Sequence, residues 1–399
     1  MKKKSLALLT VAATLSVVGS SFAAMNAANT VNSAAIVDGQ VMTADLANVA
    51  VTAAKIATGT ITATQLAAGA VTDAKIAGPI STSKLSVGTA VGTVAAGNHN
   101  HDGIYQKKYA NVIVVAKSGG DFTDPLAAIN SITDASATNP YLIKIMPGVY
   151  DLGANTIAMQ SFVDIEGAGE KTTKIYGTGY LYLFMRGASD AELRYLTVES
   201  IINNGCALFN TGSSPKVSHV TVINSGGGGI AICNQDSTAI FTDVTAVSRG
   251  IFAPPPYNTA WGNRGIENSG GGSPSFTNVK VDVSDVSGSN AILNWGTTAA
   301  TFHNLTLLTS GGISDSAIVN ADSATPTFDG VRISTTGRAL NNQGGPAQIL
   351  NSRISSYNGV VNYNATTLIA NTMLEGGVSG TGTKCLSVYD GNLNPVICQ

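Results

Sequence analysis

The chain has 399 residues, of which 44% are hydrophobic, only 12% are charged and 44 are glycine. So little charge excludes a disordered chain or a long coiled coil, and only 12 prolines exclude a collagen. A formal charge of −2 with no basic stripe argues against nucleic acid as a partner, which leaves a glycine-rich, weakly charged β protein with room for two or three domains.

Residues 1–23 read as an address. Lys2, Lys3 and Lys4 form a positive start, Leu6 to Val18 an apolar stretch, and Ser21-Phe22-Ala23 a small-x-small cleavage site. Cleavage there removes three lysines and no acid, taking the charge from −2 to −5. No later stretch is long and apolar enough to span a membrane, so the expected destination is extracellular or the cell surface. Export admits disulfides. Cys385 and Cys398 are placed to close a short C-terminal loop, whereas Cys206 and Cys233 either pair or sit as stacked thiols. Their spacing lacks the close pairs that a zinc site wants.

After an Ala/Asn/Ser linker at 24–37, a repeat begins. Val41, Leu46, Val51, Ile56, Ile61, Leu66, Val71 and Ile76 fall five apart, and the full unit is ten residues, as in AVTAAKIATG and TITATQLAAG. A period of five fits neither a helix nor a flat strand. Two arrangements remain open: a square single-chain solenoid, or a multi-chain stalk whose aliphatics meet on a symmetry axis. Small apolar area per unit favours the stalk. The junction at 87–110 carries Gly97-Asn98-His99-Asn100-His101-Asp102-Gly103-Ile104-Tyr105. It resembles the HxHDGxY junction of phage tail fibres and related adhesins, and the repeat resembles their shafts. The resemblance implies a homotrimer in which three His99/His101 pairs surround an axis and offer six imidazoles to iron, nickel or zinc. The plainer reading is a polar junction without metal. No other cofactor is implied.

From Asn111 the pattern changes. VIVVAKSGGDFTDPLAAINSI reads as strand, turn and helix, with Asp124 as N-cap, Pro125 at the first helical position, and Phe122, Leu126, Ile129 and Ile132 on one face. A lone amphipathic helix ahead of a long β region suits a solenoid cap. Gly120-Asp121-Phe122, Ala127-Ala128-Ile129, Pro147-Gly148-Val149-Tyr150 and Glu166-Gly167-Ala168-Gly169 resemble the N-terminal part of pectinesterase-like members of the pectin-lyase-like superfamily. That resemblance implies an all-β, right-handed parallel β-helix with three sheets.

The downstream chain points the same way. A strand signature recurs with its first large apolar residue at Leu193, Val217, Phe241, Phe276, Phe302, Phe328 and Ile349, at gaps of 24, 24, 35, 26, 26 and 21 residues. Val217 is out of phase with Val220 and Val222, so a bend between two short strands is needed for all three to point inward. Asn234, Asn268, Asn294, Asn320, Asn342 and Asn362 recur between signatures and predict an internal asparagine ladder at a turn. The expected division is therefore a signal peptide at 1–23, linker, stalk and junction at 24–110, a β-helix at 111–384 and a cap at 385–399, stapled by Cys385 and Cys398.

The 35-residue coil holds the insertion FAPPPYNTAWGNRG, whose Phe252, Tyr257 and Trp261 suit sugar stacking or packing onto the rod itself. Gln235-Asp236-Ser237 is similar to the Gln-Asp-Thr of pectinesterases, which place a second aspartate in the next coil and an arginine nearby. No second aspartate motif follows at the right distance. Asp243 lies seven residues on, and Arg249 and Arg264 are loose candidates for the arginine. Asp236, Asp243 and Glu267 are the acids closest to a shared groove. The catalytic set is incomplete, so the sequence favours a structural or adhesive protein that binds carbohydrate. The alternatives are a polysaccharide-active enzyme with an atypical site and a ligand-free scaffold.

Overall fold

The computed structural model describes residues 37–62, 64–68, 70–71, 109–250, 262–284, 289–310, 316–363 and 365–398. The signal peptide expected at 1–23, His99, His101, Phe252, Tyr257 and Trp261 lie outside the described residues. The chain divides into two compact units, Met1–Asn100 and His101–Gln399.

In the first unit the five-residue period is a period of turns. Amide-to-carbonyl bonds three residues apart close at Gln40 to Val37, Asp45 to Met42, Ala50 to Ala47, Lys55 to Thr52, Thr60 to Ala57, Gln65 to Thr62 and Ala70 to Ala67. Thr43–Asp45 and Ala53–Lys55 are short 3-10 turns. A large aliphatic follows each turn, and Val41, Leu46, Val51, Ile56, Ile61, Leu66 and Val71 are 41–55% exposed. A single-chain square solenoid would bury these side chains, and here no described residue of 37–71 is buried.

The second unit is a parallel β-solenoid built from an 18-stranded and a 10-stranded sheet. Glu192–Ser200, Lys216–Asn224 and Ile240–Ser248 run unbroken along the larger sheet. In later coils the same span splits into two short strands, such as Ser275–Thr277 with Lys280–Ser284, and Thr301–His303 with Thr306–Ser310. The larger sheet thus forms two sides of each coil and the ten-stranded sheet the third, the right-handed parallel β-helix that the sequence predicts.

The predicted bend is real, and its cause is local. Tyr195, His219, Asp243, Asn278, Asn304, Gly330, Asn351, Asn371 and Ser387 take left-handed φ values between 49° and 68°. One such residue reverses the side-chain alternation, so Val217 and Val220 both reach the core at 1% and 0% exposure. Asn and Asp dominate the column because they tolerate this conformation. Their amides also link coils on the outside: Asn278 Nδ2 donates to Asp243 Oδ1 at 3.0 Å, and Asn304 Nδ2 to Asn278 Oδ1 at 2.8 Å.

Two further ladders run inside. Phe241, Phe276, Phe302 and Phe328 are Cα partners in successive strands. Their rings stack at centroid distances of 4.7, 4.6 and 4.8 Å, which is the strand spacing imposed on side chains. The asparagine ladder starts one coil earlier than the sequence suggested. Asn210 Nδ2 donates to Asn234 Oδ1 (2.8 Å), Asn234 to Asn268 (2.8 Å) and Asn268 to Asn294 (2.9 Å), and the chain resumes from Asn320 to Asn342 (2.9 Å).

The ends are closed. The helix Pro125–Asn130 begins at Asp124, whose carboxylate accepts the Leu126 amide at 3.0 Å, and it buries Ala128 and Ile129. Tyr109 donates to Asp164 Oδ2 at 2.7 Å and accepts from Arg194 Nη2 at 2.8 Å, fixing the entry of the chain. The last strand, Thr383–Tyr389, pairs with Thr367–Leu374 in register. Residues after it turn back: Pro395 bridges Tyr389 in antiparallel sense and Cys398 bonds Cys385, covering that strand's free edge. The pairing of Cys206 with Cys233, left open by the sequence, is a disulfide joining adjacent coils at a Cα separation of 5.9 Å. Among the described residues no helix is long and apolar enough to cross a membrane.

Candidate functional site

The outward face of the ten-stranded sheet carries a pocket of about 410 Å³ lined by Arg264, Glu267, Leu293, Trp295, Ala321 and Asp322. Three coils supply it: Arg264–Ser269, Asn290–Asn294 and Ser316–Asn320, with Asn268, Asn294 and Asn320 as successive Cα partners. Local backbone explains why Arg264 and Glu267, three residues apart, share one face. Gly265 and Ile266 both turn inward between them. A Cβ on Gly265 would stand 2.1 Å from Val281 Cγ1, so only glycine fits that approach.

Arg264 Nη1 then meets Glu267 Oε2 at 2.6 Å, with both side chains largely buried. The other carboxylate oxygen, Oε1, accepts the indole N–H of Trp295 at 3.1 Å. With its nitrogen fixed, Trp295 still leaves 41% of its surface exposed. Asp322 closes the far side, and its Oδ2 accepts the Gly296 amide at 3.0 Å. The arrangement is an oriented aromatic face beside an aliphatic wall, with carboxylate and guanidinium groups on the rim. Such a face offers stacking area to a flat apolar surface, and the rim offers hydrogen-bonding groups.

Of the acids singled out by sequence, Glu267 belongs to this pocket. Asp236 follows Gln235 at a turn, with φ of 50°, and its Oδ1 accepts the Gly271 amide at 2.8 Å. Asp243 sits at the bend of the larger sheet, bonded to Asn278 and 3.7 Å from His219 Nε2. Asp236 at its turn and Asp243 at its bend each bond to a residue of the next coil, and neither is bonded to Glu267. Arg249 reaches Glu199 at 3.7 Å. His219 stacks on Tyr195 at 4.9 Å and His303 lies 3.2 Å from Asp329, both on the surface. Among the described residues no group of three His, Cys, Asp or Glu side chains could hold a metal ion.

Sequence reading missed Trp295. It follows the asparagine ladder, in the slot filled elsewhere by Thr211, Gln235, Ser269, Ala321, Gln343 and Tyr363. An aromatic residue in the slot after a ladder asparagine, shared only with Tyr363, in a chain with only 2 tryptophans, was the available signal.

No family profile and no curated protein sequence matches the chain. Among solved structures it is similar to the pectin methylesterase from carrot, at 10% identity over 70% of this chain and 88% of that one, with a TM-score of 0.47. It is also similar to ORF18 of Geobacillus virus E2, at 12% identity over 70% of this chain and 60% of that one, with a TM-score of 0.46. A pectin methylesterase from Yersinia enterocolitica follows at 12% identity over 67% and 94%, with a TM-score of 0.42. At this distance the parallel β-helix rests on the strand register itself.

Proposed function

We propose that this chain is an exported, fibre-like adhesive protein whose β-helix binds a neutral glycan at the Trp295 pocket. The observation that carries the reading is the exposed indole locked by Glu267 Oε1, beside Leu293 and the Arg264–Glu267 pair. Arg264 is already matched by Glu267, and Asp322 adds a negative charge, so a uronic acid would meet uncompensated carboxylate. Hydroxyl-rich neutral sugars meet acceptors instead. Phe252, Tyr257 and Trp261, which precede Arg264 in the sequence, are proposed as further sugar-stacking residues. The turn-holding roles of Asp236 and Asp243 favour binding over catalysis.

Export is proposed from residues 1–23 and is supported by the two disulfides. Homotrimeric assembly is proposed for the repeat, because an ordered chain with one exposed aliphatic every five residues has no core of its own. A repeat with that spacing is best matched by further copies of itself. The test is a glycan array probed with the mature protein and with Trp295→Ala. Retention of neutral glycans by the wild type and their loss in the variant supports the reading; equal retention by both overturns it.

A further inference from the structure

The larger sheet carries a second, differently charged feature. Arg332 and Arg353 are Cα partners in adjacent coils, on Arg332–Thr335 and Arg353–Ser355. Ile333 and Ile354 beside them are buried, so both arginines stand on the outer face. Ser334 and Ser355 are the next outward pair on the same two strands. Strand geometry makes these four side chains the corners of a patch of roughly 4.8 by 6.7 Å.

Arg194, Arg249 and Arg264 each face at least one carboxylate. Arg332 and Arg353 have no side-chain partner among the described residues. The acids nearest in sequence are taken: Asp329 receives His303 at 3.2 Å and Asn351 at 2.7 Å, and Glu375 receives the Ser355 hydroxyl at 2.7 Å. Like charges directly opposite in a ladder repel. On a chain of formal charge −2 these are two unpaired positive charges on adjacent strands, with the Glu375 carboxylate at the Ser355 edge of the patch.

We infer that Arg332 and Arg353, with the Ser334 hydroxyl, form a binding site for a tetrahedral oxyanion, a sulfate ester or phosphate monoester on a larger ligand. The shape of the patch selects this class. One guanidinium fork occupies both oxygens of a planar carboxylate. Two forks side by side need an anion with more oxygens, spread in three dimensions, and the free hydroxyl takes another. Binding also removes the repulsion between the arginines. The site lies on the larger sheet and stands independently of the Trp295 pocket.

The test uses the mature chain, the double variant Arg332→Gln/Arg353→Gln and the charge-retaining Arg332→Lys/Arg353→Lys. Thermal unfolding is compared in sodium sulfate and sodium chloride at matched ionic strength, and binding is measured to dextran sulfate and to plain dextran. The wild type should gain more from sulfate than the glutamine variant does, the variant absorbing the general stabilising action of sulfate. Dextran sulfate binding should weaken by roughly tenfold or more in the glutamine variant, and less in the lysine variant, which keeps charge without the fork. Inorganic phosphate at pH 5 and pH 8 separates the two sources: an effect larger than that of sulfate at pH 8, above the second phosphate pKa of about 6, assigns a phosphate monoester, and an effect smaller than that of sulfate at both assigns a sulfate ester. An equal sulfate response in wild type and glutamine variant, with unchanged dextran sulfate binding, overturns the inference.

Discussion

Replacing Phe302 should separate ring stacking from simple burial in this fold. The side chain is 1% exposed and its ring lies between Phe276 at 4.6 Å and Phe328 at 4.8 Å. Phe302→Leu keeps most of the apolar volume and loses two aromatic pairs, about 0.5–1.5 kcal/mol each, or roughly 1–3 kcal/mol together. Phe302→Ala adds a cavity and should destabilise by about 3–5 kcal/mol. Coils contact only their neighbours, so the damage should start locally. Phe184 supplies the control, being 0% exposed and outside the stack. The assay is denaturant unfolding followed by far-UV circular dichroism, with a double-mutant cycle across Phe276 and Phe302. A coupling near zero in that cycle, with Phe302→Leu and Phe184→Leu equally destabilising, would refute the claim that stacking itself binds successive coils.

Three other outcomes follow from the same structure. Asn268→Ala strands Asn234 Nδ2 and Asn294 Oδ1 in the core, which should destabilise by about 2–5 kcal/mol in equilibrium unfolding; a loss within ~0.5 kcal/mol, typical of surface sites, would contradict the ladder's role. Burial raises the Tyr150 phenol above its ordinary value of 10.0, and burial followed by the bond to Asp164 does the same for Tyr109. The unfolded chain therefore releases these protons first, so their contribution is complete below about pH 10 and falls as the pH climbs beyond it. Tyr109→Phe and Tyr150→Phe should each flatten that alkaline decline in a pH series of melting temperatures. Light scattering on the mature protein should give a trimer that becomes a monomer when residues 24–110 are deleted, and a monomer in both forms would remove the stalk proposal.

The fold was legible because a solenoid repeats its instructions. Leu193, Val217, Phe241, Phe276, Phe302, Phe328 and Ile349 recur at coil length, and all seven face the core. The need for a bend followed from Val217 and Val220 being three apart, and the Asn and Asp residues of the bend column supply it. The asparagine ladder was visible for the same reason. The functional face was less legible, since it depends on what adjacent coils set side by side. Trp295 gains its meaning from Glu267, 28 residues earlier, and Glu267 from Arg264 across an inward-turning Gly265. Asp236, Asp243 and Glu267 were the acids that the sequence put nearest to a shared groove, without the spacing of a pectinesterase set. Asp236 lies just past the strand Ile230–Gln235 and accepts the Gly271 amide, whereas Asp243 lies at the bend of Ile240–Ser248 and accepts from Asn278. Arg332 and Arg353 are 21 residues apart, and only the register shows that they are neighbours.

The most direct test of the account is a fluorescence titration of the mature protein in a Trp261→Phe background, where Trp295 is the remaining tryptophan. Neutral oligosaccharides retained on the array should change its emission saturably, and Glu267→Ala, which frees the indole, should weaken that binding. Emission that stays unchanged while the same glycans bind would place the ligand elsewhere and contradict the Trp295 site.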